Sequence, residues 1–307
     1  MADIEALLSL EQIDRDIFRG IHAPSVLVRT FGGQVAGQAL RSAIETVPDT
    51  MQVHSLHGYF LRAGNPDADT VFLVDRIRDG RSFCTRRVNG VQDGEAIFSM
   101  SASFQLPGQD GIEHADEMPP TQDPESVLSP REDPNATRES LGLFEEWSDW
   151  DIRIVPQDET APYVGRAVHQ QVWFRHIKRL PDDQNTHVSA LAYMSDMTLL
   201  GSARVAHPGV DTQVASLDHA MWFLRPFRAD EWLLYDQTSP SAGGGRALTA
   251  GRIFDANFGS VGRIPDPITS DQFEAGIKYQ PPGTDILLTA AAWGLVAAGL
   301  PEWAGFL

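Results

Sequence analysis

The sequence predicts an α+β fold built from two like units in tandem. Three observations carry this reading. A segment of helical period followed by segments of strand period occurs twice, in the same order. Short strings in the first run recur in the second at a nearly constant offset. Between the runs, residues 107–140 are rich in Pro, Asp, Glu, Ser and Gly without sustained period, as a linker is.

Residues 33–47 read as the first helix. Val35, Ala36, Ala39, Leu40, Ala43, Ile44 and Val47 recur at spacings of three and four, and Pro48 stops the run. The string FGGQ at its start puts little side chain over the first turn. Strand-like segments follow at 55–62, 70–78, 82–90 and 95–105. The last alternates: Ala96, Phe98, Met100, Ala102 and Phe104 face one way, Ser99, Ser101, Ser103 and Gln105 the other. Beyond the linker, with a short helix near 141–150, residues 168–180 read as a strand. Asn185 or Thr186 then caps a helix reaching about Ala203, and strands follow at 213–225, 231–238 and 246–254.

The repeat is visible in residues as well as in order. Phe60-Leu61-Arg62 matches Phe223-Leu224-Arg225, Gly80-Arg81 matches Gly245-Arg246, and Arg87-Val88 matches Arg252-Ile253. A tandem duplication explains three such matches in one order better than chance does. One apolar helix wrapped by an antiparallel sheet is the hotdog arrangement, and a fused pair supplies both partners of a hotdog dimer in one chain. The expected division is 1–107 for the first hotdog, 108–150 for the linker and 151–307 for the second, with an atypical tail from about 255.

Composition removes several classes of function. The 307 residues carry a net charge of −18, which argues against nucleic acid and anionic membranes as partners. The single cysteine, Cys84, excludes an intrachain disulfide and CxxC metal sites. The opening MADIEALLSLEQID lacks a basic region followed by an apolar one, so it does not read as a signal peptide. The longest apolar run, 286–300, is shorter than the ~20 residues of a spanning helix. A soluble, cytoplasmic protein is expected.

Asp196 is the most informative residue. The apolar stripe of the second helix runs Val188, Ala192, Asp196, Leu199 and Leu200, so a carboxylate stands where a buried apolar group is expected. Burying a carboxylate costs several kcal/mol unless hydrogen bonds or a charge offset it. It reads either as a stripe-edge residue paired with an Arg or as a pocket carboxylate acting on water. Ser216, in QVASLDHAMWF, is the second candidate. Alternation puts Val214, Ser216, Asp218 and Ala220 on one face, and Ala215, Leu217, His219 and Met221 on the other. Asp218 and His219 therefore point apart and form no local pair. No HExxH, GxSxG or phosphate-loop string occurs, so no metal site or cofactor is expected. His54 and His57, in VHSLH, are candidates for lining a substrate channel or for structural roles. By one count they lie on opposite strand faces; by another they straddle a bulge.

FGGQVAGQAL (31–40), VHSLHGYFLRAG (53–64), RDGRSFCTRRV (78–88) and ASFQLP (102–107) resemble the first half of type II acyl-CoA thioesterases, the TesB-like family. ALAYMSD (190–196) and VASLDHAMWFLRPF (214–227) resemble its second half. The resemblance, over residues 1 to about 254, implies a double hotdog that hydrolyses fatty acyl-CoA to free acid and CoA. It further implies a homo-oligomer, a dimer or tetramer. In that family an Asp on the second helix, a Thr or Ser on the next strand and a Gln on the last strand position the attacking water. The Asp falls on Asp196 and the hydroxyl on Ser216. A backbone N–H at a hotdog helix start, near Gly33, would hold the thioester oxyanion. The Gln does not carry over. After Phe254 the chain holds Gly259, Gly262, Pro265 and Pro267, which no central strand accepts. The break has the form of a reading-frame change, and residues 286–300 suit a helix apolar all round. A catalytically impaired acyl-CoA binder is therefore one alternative to the thioesterase. A hotdog enoyl-CoA hydratase is another; it would need an Asp and His pair at a helix start, for which no match is found.

Overall fold

The computed structural model describes residues 3–256 except 110, 113, 135–141, 143, 157–167, 208 and 211–213, and the backbone of 274–279 and 288–293. The chain divides into a large unit, Met1–Gln109 with Ala115–Thr269, and a small one, Asp110–His114 with Ser270–Leu307.

In the large unit, the first half runs α1 (Ile4–Leu8), β1 (Glu11–Asp14), β2 (Ile17–Gly20), α2 (Gly32–Ile44), β3 (Gln52–Phe60), β4 (Thr70–Asp79), β5 (Phe83–Gln92) and β6 (Glu95–Gln105). The second half runs β7 (Trp150–Ile154), β8 (His169–His176), α3 (Gln184–Ser195), α4 (Leu199–Ser202), β9 (Asp218–Trp222), β10 (Leu233–Gly243) and β11 (Arg246–Asp255). One antiparallel sheet has the order β1-β2-β4-β5-β6-β3-β9 and the other β11-β10-β8-β7. The first sheet wraps α2, whose Ala36, Ala39, Leu40 and Ala43 are wholly buried in one core with Leu56, Phe72, Val88 and Phe98. Each such Leu or Phe contributes about 1.5–3 kcal/mol on burial. This is the expected tandem hotdog.

The halves meet along β3 and β9. His57 pairs with Ala220, Leu56 with Met221 and Gly58 with His219. In the sequence repeat, Ala220 is the counterpart of His57, and His219 and Met221 are those of Leu56 and Gly58. The pairing is thus self-complementary, as at a two-fold dimer interface. Helices α2 and α3 pack closely beside the same axis. A Cβ on Gly33 would lie 2.0 Å from the Tyr193 carbonyl oxygen and one on Gly37 3.0 Å from that of Ser189. Glycine is needed at 33 because the backbone of the partner helix occupies that space.

Several elements differ from expectation. The second helix ends at Ser195, with Asp196 as its C-cap, and Leu199–Ser202 is a separate turn of helix. Its N-cap is Asp183, which accepts from the N–H groups of Asn185 and Thr186; Asn185 and Thr186 lie inside the helix. The strand expected at 213–225 spans only Asp218–Trp222, so Ser216 precedes it. The strands β1, β2 and β7 are additions to the elements that the sequence predicts.

The linker is partly a strap. Gln171 Nε2 donates to the Pro120 carbonyl at 3.2 Å and Trp173 Nε1 to that of Gln122 at 2.8 Å. Val127 of the strap is buried with Trp173, Leu234 and Phe254 on one face of the second sheet. Isolated anchors of this kind leave no period in a sequence.

In the repeat, β8, β10 and β11 correspond to β2, β4 and β5, and β9 to β3. Among the described residues none takes the place between β11 and β9 that β6 takes between β5 and β3. In the small unit, β12 (Glu274–Tyr279) pairs antiparallel with β13 (Leu288–Trp293). The helix expected over 286–300 is therefore corrected to a strand at 288–293. A six-residue apolar run suits either state, and periodicity alone does not separate them. The rest of that span lies outside the described residues, as do Gly259, Gly262, Pro265 and Pro267. No helix of the described residues is long and apolar enough to cross a membrane.

Candidate active site

The site forms where the start of α2 meets the end of α3. The N-cap of α2, Phe31, supplies no side-chain hydrogen bond. The first backbone bond of the helix joins Val35 N–H to the Phe31 carbonyl, so the N–H groups before it have no acceptor within the helix. Asp196, as C-cap of α3, brings its carboxylate to this point. Ser216 Oγ donates to Asp196 Oδ1 at 2.8 Å, and the Gly33 backbone N–H donates to the same carboxylate. A Cβ on Gly32 would stand 2.5 Å from Asp196 Oδ2, so the Gly-Gly pair is what lets the carboxylate reach the helix end.

Asp196 is 9% exposed. Burial pushes its carboxyl above the ordinary carboxylate value, opposed by His219, the Ser216 hydroxyl and the Gly33 N–H. Fixed donors, the Ser216 hydroxyl and the Gly33 N–H, stand where water would otherwise solvate the carboxylate. Ser216 is half-buried at the edge of the site.

The structure brings Asp196, Ser216 and Gly33 together as the sequence suggests. It also brings His219, which alternation places on the face opposite Ser216. Strict alternation holds only within 218–222. Upstream of Asp218 the chain is not a strand, and Ser216 turns in to Asp196. The buried His219 donates or accepts at Nε2 with Ser195 Oγ at 2.8 Å. Asp218 points outward and is exposed. The one sequence signal for His219 is its alignment with the core residue Leu56 of the first half.

His54 and His57 lie elsewhere. The β3–β6 register shifts between Val53 and Ser55, so His54 sits in a bulge while His57 lies in the regular ladder. His54 Nε2 meets Ser103 Oγ at 2.8 Å, and the exposed His57 packs edge-on against Trp222. Burial lowers both imidazole pKa values. A small cleft lies beside the first turn of α2, lined by Pro24, Ser25, Thr30, Phe31, Gln34 and Tyr193 among others.

Two fused hotdog halves with a buried carboxylate at an uncapped helix start define a tandem hotdog enzyme. Comparison with known proteins narrows this class. The family described as "Acyl-CoA thioesterase N-terminal domain" matches residues 22–105, and that described as "Acyl-CoA thioesterase" matches 144–272. The second match runs past Phe254 but stops short of the chain's end. Mouse acyl-coenzyme A thioesterase 8 is 38% identical over 267 residues, 82% of this chain and 83% of that protein. Acyl-CoA thioesterase 2 of Haemophilus influenzae is 33% identical over 261 residues, 81% of this chain and 90% of that protein. The crystal structure of acyl-CoA thioesterase II TesB2 from Mycobacterium marinum superposes with a TM-score of 0.75 at 56% identity, covering 87% of this chain and 94% of that one. The chain belongs to the acyl-CoA thioesterase family, whose reaction is hydrolysis of acyl-CoA thioesters. These relatives favour neither the non-catalytic binder nor the hydratase.

Proposed function

We propose that Asp196 and Ser216 carry this hydrolysis by direct attack of water. The observation that supports it is the 2.8 Å hydrogen bond from Ser216 Oγ to a buried carboxylate at an open helix start. Water held between the two side chains loses a proton to Asp196 as its oxygen bonds to the thioester carbon. Carbonyl oxygen charge faces the first turn of α2, where the helix dipole favours an anion and the N–H groups other than that of Gly33, which Asp196 takes, are the donors. The C–S bond then breaks, and Asp196 returns the proton to the departing sulfur, giving free acid and CoA. No covalent intermediate and no cofactor take part. Gly33 serves by its backbone. His54 and His57 belong to the outer packing of β3 rather than to this chemistry.

The test is thiol release from a series of acyl-CoA substrates by the wild type and by Asp196→Asn. Turnover in the wild type and its loss in the variant are expected; unchanged release in the variant would refute the assignment.

The same reading includes a homo-oligomer, dimer or tetramer, since β1 and β7 end their sheets with edges that pair with no further strand among the described residues. A strictly monomeric species at micromolar concentration would count against it. A cytoplasmic site of action fits an acidic chain with one free thiol; fractionation of the native host checks it.

A further inference from the structure

His219 has no place in the mechanism above, yet it occupies the inner face of β9 beside the catalytic helix. Its counterpart in the first half is Leu56, a core residue with no exposed surface. A leucine therefore satisfies this position in the fold, and a buried imidazole there is more costly to desolvate than the leucine it stands for. The cost calls for a function.

The hydrogen bonds show one. Ser195 Oγ–H donates back to the Ala192 carbonyl at 3.0 Å. The same hydroxyl lies 3.3 Å from Met221 Sδ; with its proton shared between these two acceptors, the network assigns His219 the Nε2–H tautomer, which donates to Ser195 Oγ at 2.8 Å. Tyr235 Oη–H donates to the Ser195 carbonyl at 3.4 Å. Gly251 makes this possible, because a Cβ there would lie 2.2 Å from the Tyr235 ring. The residue directly before Asp196 is thus gripped at its side chain and its carbonyl by strands β9 and β10. A C-cap residue leaves its helix in a direction set by that last turn.

We infer that His219 is a positioning residue for Asp196, acting through Ser195 to fix the last turn of α3 so that the carboxylate meets Ser216 and the start of α2. This rests on the assignment of Asp196 as the base. In its neutral Nε2–H form, which burial favours, His219 steers without bringing a second charge into the site. A displacement of about 1 Å at a reacting group costs on the order of 10²-fold in rate.

Hydrolysis of one acyl-CoA is measured for His219→Leu, His219→Gln, Ser195→Ala and the double variant His219→Leu/Ser195→Ala, with the melting temperature of each. His219→Leu should lower kcat by about 10²-fold with KM nearly unchanged, and should melt no earlier than the wild type, since leucine fills the matching position of the first half. His219→Gln, which keeps an N–H donor at similar reach, should recover most of the loss. The double variant should be no slower than His219→Leu alone, because both changes cut one link. Wild-type kcat in His219→Leu, equal loss in His219→Gln, or losses that add in the double variant would each overturn the inference. If His219→Leu does not fold, His219→Gln and Ser195→Ala decide it. Asp196→Asn keeps the two ideas apart: normal turnover there sinks the assignment of the base. An inactive Asp196→Asn beside an unimpaired His219→Leu sinks only the role of His219.

Discussion

Each half of the molecule offers a helix start to the helix end of the other, and the two junctions are filled differently. At the start of α2 the N-cap residue Phe31 offers no side-chain bond, and Asp196 of the other half takes the Gly33 N–H with Ser216 beside it. At the start of α3 the carboxylate of Asp183 takes the N–H groups of Asn185 and Thr186, and Arg41 lies 3.6 Å from Asp183. The C-cap facing this second start is Glu45, paired with Arg41 at 2.6 Å. The counterpart of Ser216 is Val53, and that of His219 is Leu56. A small cleft is present there too, lined by Gln52, Val53, Gln184, Asn185, Val188 and Phe223 among others. Space alone does not make a site. What differs is where the carboxylate comes from: Asp183 caps its own helix and takes two N–H groups, whereas Asp196 comes from the facing helix end, takes that of Gly33 and also bonds Ser216.

The largest effect should come from the two C-caps. Asp196→Asn is expected to lower kcat by about 10²–10⁴-fold, the range of a lost general base. Glu45→Gln should leave kcat unchanged, and steady-state kinetics on one substrate reads both. Equal losses would mean two working junctions. A second, similarly large effect concerns the edges of β9 and β11. The site has no described third partner equivalent to the Gln that the family resemblance implies. Replacing the chain after Phe254 with a family-type strand carrying that Gln should raise turnover by about 10²–10³-fold. If the native chain already matches the repaired one, the tail does not limit the site. Next come Ser216 and its counterpart Val53. Ser216→Ala should cost up to about 10²-fold in kcat by removing one donor. Val53→Ala should leave kcat intact and lower stability by about 1 kcal/mol as a core truncation, which thermal melting would show.

The smallest effects are in pH. Burial raises the Asp196 pKa, so the charged form is the one the fold disfavours. The destabilisation is full above the raised folded value and vanishes below the unfolded value of 3.8, where both states are protonated. Asp196→Asn should therefore melt higher than the wild type at neutral pH by about 1 kcal/mol, and this gain should disappear towards pH 3. Turnover should fall on the acid side through a value above 3.8. An acid limb at or below that value would contradict a buried base.

Much of this asymmetry is legible in the sequence. The helical period of 33–47 and the alternation of 95–105 belong to long elements with one clearly buried face, and α2 and β6 lie within a residue or a few of those limits. Asp196 stands out as a carboxylate in an apolar stripe. His219 does not, because the alternation runs on through residues that are not strand. The strands β1 and β2, of four residues each, are too short to show a period. The early end of α3 is hidden because Leu199 and Leu200 continue the apolar spacing across a break that the backbone makes at Asp196–Thr198.

The self-complementary pairing of β3 with β9 has a consequence for inheritance. In a dimer of identical chains, every substitution near the axis occurs twice, so a residue that improves one site also alters its copy. Fusion into one polypeptide removes that rule. Each position beside the axis can then be selected for a single role. Leu56 packs in the core where its counterpart His219 bonds Ser195; Asp183 caps its own helix, and Gly32-Gly33 admit the carboxylate of Asp196. A dimer retains two mediocre compromises where a fused chain can specialise, and half of the ancestral symmetry survives here only as scaffold.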